Sequence, residues 1–595
     1  MTPSVHLLES EPGTPVERLL DAFGVEFDRR PLAETLGVAA PSSSVGVAIL
    51  SEAELTRSTG ANGNRRFNLK AVASRYRNIL IYPFRGTVEG LGALNECLGG
   101  TGEIASLSSG DASQYRVDAD FPAAGPFAGL ELDAWNATTD RLLLIRNSPY
   151  PIDRLISIEN RALFTRITLA ETEMFVISSS AVFDVDAEMV KNLDVKRCFS
   201  ALVPLLMFLR HARAIFWKGS YPAANVIIDD LNLRPSYGFV NADTLAEHVD
   251  ALRYAVSIAF IPWNCNRTSR RVTDLFRSRA PHLSVCIHGC DHIGAEFAAP
   301  SLSATLPMIA QSLDRMNSFR AQTGVGYDRV MVFPQGKFSA NAMEALRQSD
   351  FLATVNTELI DDRTRRGVRA LELLKPAITS YGGFPLFLRR KATEPIANFA
   401  LDLLLGKPCL IVTHHDDFQR GMQPFASLVE SLNALSPALR WTNLETIVSR
   451  TYSVRRNASD DIHVRLFSPM TVLEPQDGVT DVCFSKAEPL PNKDFEVYVA
   501  GEPVKVQRHG GDIMFRHGIA SAEPTVVEVR MSPTEAAPLP SHPLIYRTKV
   551  ATRRYLSEIR DNYVARSPWA AAAVRSARQM LQGPPQGRGS GRWSS

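Results

Sequence analysis

Four short apolar runs, at 225–228, 283–287, 330–333 and 410–412, each lead directly into residues that carry chemistry. The first ends in Asp229 and Asp230, and the second in His288, Gly289, Cys290, Asp291 and His292. The third continues into Pro334, Gln335 and Gly336, and the fourth into Thr413, His414 and His415. Apolar runs of this length predict buried strands of a parallel sheet. Helical patterns at 244–252, 303–322 and 340–349 alternate with them, and Gly324 and Gly326 fall where a helix should stop. Such alternation over 221–455 predicts a β/α barrel, in which ligands bind at the carboxyl ends of the strands. The carboxylates and imidazoles should therefore meet at one mouth. Two histidines and an aspartate form a catalytic metal set that leaves room for water.

Each piece also has a plainer explanation. Adjacent side chains on a strand point to opposite faces, so Asp229 and Asp230 reach one site only where the strand ends and the chain turns; otherwise the pair simply caps a loop. The spacing of His288 and His292 puts two imidazoles on one face of a helical turn. Cys286 and Cys290 interleave with them, yet a closed structural zinc site needs four ligands and a second suitably spaced pair is missing, so both cysteines are expected to be packing residues. Leu410 and Val412 share a face with His414, and His415 lies opposite until the strand turns. Either histidine suits a general acid near neutral pH, and Asp416 and Asp417 can orient either one or remain solvated.

The rest of the chain reads as flanking units. In 1–195, strands at 45–50, 78–82, 142–145 and 174–177 alternate with helices at 16–23 and 88–97. This predicts an α/β layer with a mostly parallel sheet. It loosely resembles the flavodoxin-like, glutamine-amidotransferase-like domains, whose active members carry a nucleophilic cysteine between glycines. Cys97 lacks the first glycine and sits inside the predicted helix, so a non-catalytic unit is expected. An apolar helix at 196–220 connects to the barrel. Short strands at 462–467, 479–484, 495–499, 504–508 and 525–531 predict a small β-sandwich over 456–545. Residues 546–582 predict a basic helix with Pro568 as a break, and 583–595 a disordered Gly/Pro/Ser/Arg-rich tail.

The central motifs resemble those of the NodB-homology polysaccharide deacetylases, whose fold is a distorted β/α barrel. That family's Thr-Phe-Asp-Asp is matched by Ile227, Ile228, Asp229 and Asp230, its His-(Ser/Thr)-x-x-His by His288 to His292, and its Leu-x-Leu-x-His by Leu410 to His414. The resemblance implies that Asp229 is the catalytic base and that Asp230, His288 and His292 hold a divalent metal, with zinc expected. It implies that His414 is the acid that protonates the leaving amine; His415 is the alternative. The third motif, Arg-x-Pro-Tyr, is met by Val332, Phe333, Pro334 and Gln335. The proline is kept, the Gln335 backbone N–H takes the oxyanion role, and Val332 stands where the family's arginine pairs with the base. Arg267, Arg329 and Arg389 are candidates to replace that arginine. Trp263 and Phe387 are candidates for lining the site, and Gln335, Trp263 and Arg389 are the expected oxyanion and substrate residues.

The resemblance therefore implies a metal-dependent hydrolase that removes acetyl groups from N-acetylated sugars in a polysaccharide or glycan precursor. A binding or assembly protein on a deacetylase scaffold, favoured by Val332, and a hydrolase of another amide or ester are the alternatives. A carbohydrate is the expected partner. The net charge of +2 creates no field suited to nucleic acid. The seven cysteines show no disulfide spacing, and 1–15 has no signal-like apolar core, so a cytoplasmic location is expected. The basic helix, with Arg553, Arg554 and Arg560 among Tyr555, Leu556 and Ile559, is a candidate for peripheral membrane contact.

Overall fold

The computed structural model describes residues 4–32, 46–57, 69–106, 113–134, 138–298, 301–457, 459, 461–475, 480–489, 495–519, 523–531 and 538–567. The tail expected at 583–595 and the second half of the basic helix lie outside these residues.

The first sheet has eleven strands. Its first five in spatial order, Phe27–Arg29, Val5–Leu7, Val47–Leu50, Asn78–Ile81 and Thr172–Ile177, pair in parallel. From there Arg161–Leu169 and Ile152–Ile158 continue antiparallel. The parallel expectation therefore describes only half the sheet. The antiparallel half is built on tight hairpins whose left-handed positions are Glu159 (φ 52°) and Ala170 (φ 53°). Such turns favour glycine, asparagine or aspartate, so these two gave no turn signal. Cys97 is buried in the helix Val88–Leu98, where burial pushes its thiol up to about 11, which does not suit a nucleophile.

The helix Val195–His211 links this sheet to the barrel. Asp194 caps it by accepting from the Lys196 N–H. It is apolar all round and buried from Phe199 to Leu209, as a helix enclosed between two layers must be. One continuous apolar core runs from the first sheet through this helix into the barrel.

The barrel sheet has nine strands. Its spatial order is Leu386–Leu388, Ala353–Asn356, Asp328–Val332, Leu283–His288, Val256–Phe260, Ala223–Asp229, Cys409–Thr413 and Arg390–Lys391, with Arg440–Trp441 against the start of Ala223–Asp229. Every pairing is parallel. The strands are buried on both faces, which explains their unbroken apolar runs. The first and last strands of this order are consecutive in sequence. Leu388 pairs with Asn356, Arg390 pairs with Ile411, and only Arg389 lies between them. The sheet is thus nearly closed, joined through one residue.

A six-stranded sheet, which takes Lys218–Gly219 from before the barrel and its other strands from after it, and a four-stranded sheet share a separate core that includes Val464, Phe484, Val497 and Phe515. The helix Leu544–Ile559 and the turn Arg560–Val564 then return to the barrel mouth. Among the described residues no helix is long and apolar enough to cross a membrane.

Candidate active site

Asp229 is the last residue of its strand, and Asp230 turns the chain with φ 69°. This break in the strand period brings both carboxylates to one cavity of about 770 Å³. His288 ends the neighbouring-but-one strand and is buried; its Nδ1 faces the Val332 carbonyl oxygen at 2.9 Å. That contact makes Nδ1 the protonated nitrogen and leaves Nε2 for the cavity. The chain then bends at Gly289 (φ 68°) and His292 (φ 55°). The helical turn expected between the histidines is absent; a bend performs the same task and sets the ring centroids 4.8 Å apart. Only glycine fits at 289, since an added Cβ would lie 2.2 Å from Glu296 Oε1 and 2.5 Å from Pro334 Cγ. Glu296 organises the bend by accepting from the N–H groups of Cys290, Asp291 and Ile293.

Asp230 Oδ1 lies 3.1 Å from His292 Nε2 and 3.6 Å from His288 Nε2. One potential ligand atom from each of Asp230, His288 and His292 falls within 4.8 Å of the others. Asp230 Oδ1 is buried and accepts no hydrogen bond, so an electron pair is left for a cation. Burial works against its charge, but the two imidazoles outweigh this and hold the carboxyl well below its usual range. These residues fit a divalent metal with an open coordination position. Cys286 and Cys290 are buried outside this set, and burial raises both thiols.

Asp229 is buried and clamped. Arg389 Nη1 and Nη2 each donate to one of its oxygens at 2.7 Å, while Arg389 Nε donates to Thr357 Oγ1. Burial pushes the Asp229 carboxyl up, yet the Arg389 guanidinium and then His288 bring it below its ordinary value. Arg389, expected among the substrate residues, thus pairs with Asp229, as an arginine at position 332 was expected to do. The other two candidates are engaged elsewhere, Arg267 with Glu558 and Arg329 with Glu445.

His414 Nε2 is 3.9 Å from Asp229 Oδ2, and the side chain is 53% exposed, so it faces both Asp229 and the open cavity. His415 diverges because the turn His415–Arg420 begins there. Its Nε2 lies 3.4 Å from Asp561 Oδ1, and its ring packs near Tyr237 and Phe239. Both histidines line the cavity, as does Gln335, which stands at φ 58° in the turn Pro334–Gly336. Trp263 does not line it. The turn Pro262–Asn264 directs Trp263 towards the C-terminal helix, edge-on to Tyr555 and beneath Arg267. Phe387 is buried in the barrel core.

The C-terminal segment supplies residues that nothing in the motifs pointed to. Asp561 accepts from Tyr237 Oη at 2.8 Å, and Asn562 Oδ1 accepts from the Gly238 N–H. Burial raises the Asp561 carboxyl, but His415 and Arg560 bring it down to about 2. Arg554 is buried with its guanidinium 3.5 Å from His292 Nδ1, and Arg560 lines the cavity. The helix therefore docks through polar residues. Ile545 (81% exposed), Leu556 (59%) and Tyr563 (72%) face outwards, the reverse of the usual amphipathic arrangement.

No protein-family profile and no curated protein matches this sequence. Among solved structures, the chain is similar to Agd3, a carbohydrate deacetylase, at 10% identity, covering 89% of this chain and 100% of that one with a TM-score of 0.47. It is similar to a family 4 carbohydrate esterase from Streptomyces lividans in complex with acetate, at 11% identity over 37% of this chain and 91% of that one, TM-score 0.24. It is also similar to a CE4 family pseudoenzyme from Bacillus anthracis, at 9% identity over 38% and 65% of the two chains, TM-score 0.23.

Proposed function

We propose that this chain is a metal-dependent hydrolase that removes acetyl groups from N-acetylated sugars of a polysaccharide or glycan precursor. The observation that carries the reading is the juxtaposition of the Asp230, His288 and His292 set with an arginine-clamped Asp229 in one cavity. A divalent ion held by the three ligands, zinc in expectation, would polarise the acetamide carbonyl and make a bound water more acidic. Asp229, kept anionic by Arg389, accepts a proton from the attacking water. The Gln335 backbone N–H is the proposed donor to the developing oxyanion. His414, open to the cavity and close to Asp229, delivers a proton to the departing amine. Acetate and a free amino sugar result. Val332 favoured an inactive scaffold, but Arg389 now supplies the missing cation, which supports the active reading.

The direct test is acetate release from N-acetylated oligosaccharides together with metal analysis. Wild type is expected to hold about one divalent ion per chain, to lose activity on chelation and to regain it on zinc addition. Asp230→Ala and His288→Ala should each strip the metal. Wild-type metal content in both variants would remove the ligand assignment, and metal-loaded protein that releases no acetate would remove the reaction.

The two histidines should separate in the same assay. His414→Ala is expected to lower kcat by about a hundredfold with metal content unchanged. His415→Ala, which loses a residue tied to Asp561, should have a smaller effect on kcat. Normal turnover in His414→Ala with loss in His415→Ala would transfer the acid role to His415.

A further inference from the structure

A second cavity, of about 720 Å³, lies at the other end of the barrel. It is bounded by the end of the helix Val195–His211, by Lys218 and Gly219, by Ala123 and Arg166 of the first unit, and by the Leu403–Gly406 turn. Lys218 and Gly219 precede the strand Ala223–Asp229, whose far end carries the base. A strand of that length separates the two cavities by roughly 20 Å.

The second cavity gathers Arg210, Arg213 and Lys218. None of the three has an acidic partner or a side-chain hydrogen bond among the described residues; Lys218 Nζ merely sits 5.3 Å above the Phe216 ring. Arg166 is already matched there by Asp153 and Glu173, and His211 Nε2 contacts Glu173. Basic residues at a helix end commonly serve its terminal carbonyls, but these carbonyls are taken. The N–H groups of Ala212, Arg213 and Ala214 donate to the oxygens of Phe208, Arg210 and Leu209. Arg213 also has φ 54°, a left-handed position after a helix that ordinarily falls to glycine. Filling it with arginine strains the backbone and places a third charge in the cavity. All three side chains keep exposed surface; partial desolvation lowers Lys218 and Arg210, and Arg210 lowers Lys218 further. Like charges converge here without a counter-charge.

We propose that this cavity binds a compact multivalent phosphate group, such as the diphosphate of an activated small molecule. Three cations on a short stretch of chain match an anion that concentrates at least two negative charges in a few ångströms, and guanidinium groups pair with phosphate oxygens in a forked geometry. The site is independent of the reaction at the mouth, so it adds a ligand to this protein whether or not the mouth removes acetyl groups.

The test is calorimetric titration of the full chain, chelator-treated and dialysed so that no metal remains at the mouth, with inorganic pyrophosphate at low ionic strength. Saturable binding of one pyrophosphate per chain is expected. Arg210→Gln combined with Lys218→Gln should weaken it by about tenfold or more. Arg213→Asn, at an exposed position whose backbone asparagine tolerates, should also weaken it and provides a second readout if the double variant does not fold. Absence of saturable binding, equal affinity in the variants, or citrate binding as tightly as pyrophosphate would overturn the proposal.

Discussion

Asp229→Asn is expected to lower the kcat of acetate release by about a hundredfold or more while the divalent ion stays bound. The amide is nearly isosteric, so the cavity keeps its shape, but it cannot accept a proton at neutral pH. Metal retention follows from the geometry, because Asp230, not Asp229, has the oxygen grouped with the two imidazole nitrogens. Metal loss in Asp229→Asn but not in Asp230→Asn would exchange the two roles. The asparagine also removes half of a buried ion pair and leaves Arg389 without its charge partner, so stability should be measured alongside turnover.

Arg389→Leu should have the largest effect on stability. Both members of the pair are about 95% buried, and removing one partner of such a pair typically costs about 3–5 kcal/mol because the other charge is left stranded. The direction with pH is fixed. In wild type the Asp229 carboxyl is held below its ordinary value, so its contribution to stability is present above the unfolded value of about 3.9 and is lost as pH falls through the folded one. Without Arg389 burial dominates, the folded value rises above the unfolded one, and the variant loses stability as pH increases. The gap between wild type and Arg389→Leu in urea midpoint should therefore widen from pH 4 to pH 8. Adding Asp229→Asn should recover much of the loss, a non-additivity expected of contacting residues. Arg389→Lys should not restore wild-type behaviour, since one ammonium cannot hold both oxygens as the fork does. A gap that is independent of pH would show that Asp229 is not the group that Arg389 keeps charged.

Much of the barrel was legible because its signals are local. Buried parallel strands leave apolar runs, and Asp229, Asp230, His288 and His414 stand where those runs stop. What escaped depends on contacts between distant parts of the chain. Arg389 lies 160 residues from Asp229, and nothing near it in sequence distinguishes it from Arg267 or Arg329. Asp561 reaches Tyr237 across 324 residues from the turn after a basic helix whose apolar face is, by its pattern, a candidate for membrane contact. That face is turned outwards because the mouth offers Tyr237, His415 and Asp291 as polar partners instead. Trp263 was drawn towards the substrate by its residue type alone, and its position is set by Tyr555 and Arg267. In the first sheet, hairpins turning on Glu159 and Ala170 hid half the topology.

The single-residue junction at Arg389 has a consequence for how this barrel withstands cutting. An ordinary open sheet ends in two strands with unpaired N–H and C=O groups, which are templates for pairing with other chains. Here the two outermost strands are tethered covalently, Leu388 on one side and Arg390 on the other, and the tether's own N–H is bonded to the Asn356 oxygen at 3.0 Å. A nick or a circular permutation at this point would separate the two borders and expose the Arg390–Lys391 edge, while Leu386 stays bonded to Ile378 on its outer side. The expected outcome is self-association as well as loss of the Asp229 clamp. New termini in the exposed turn at Gly510 and Gly511 would leave those borders joined.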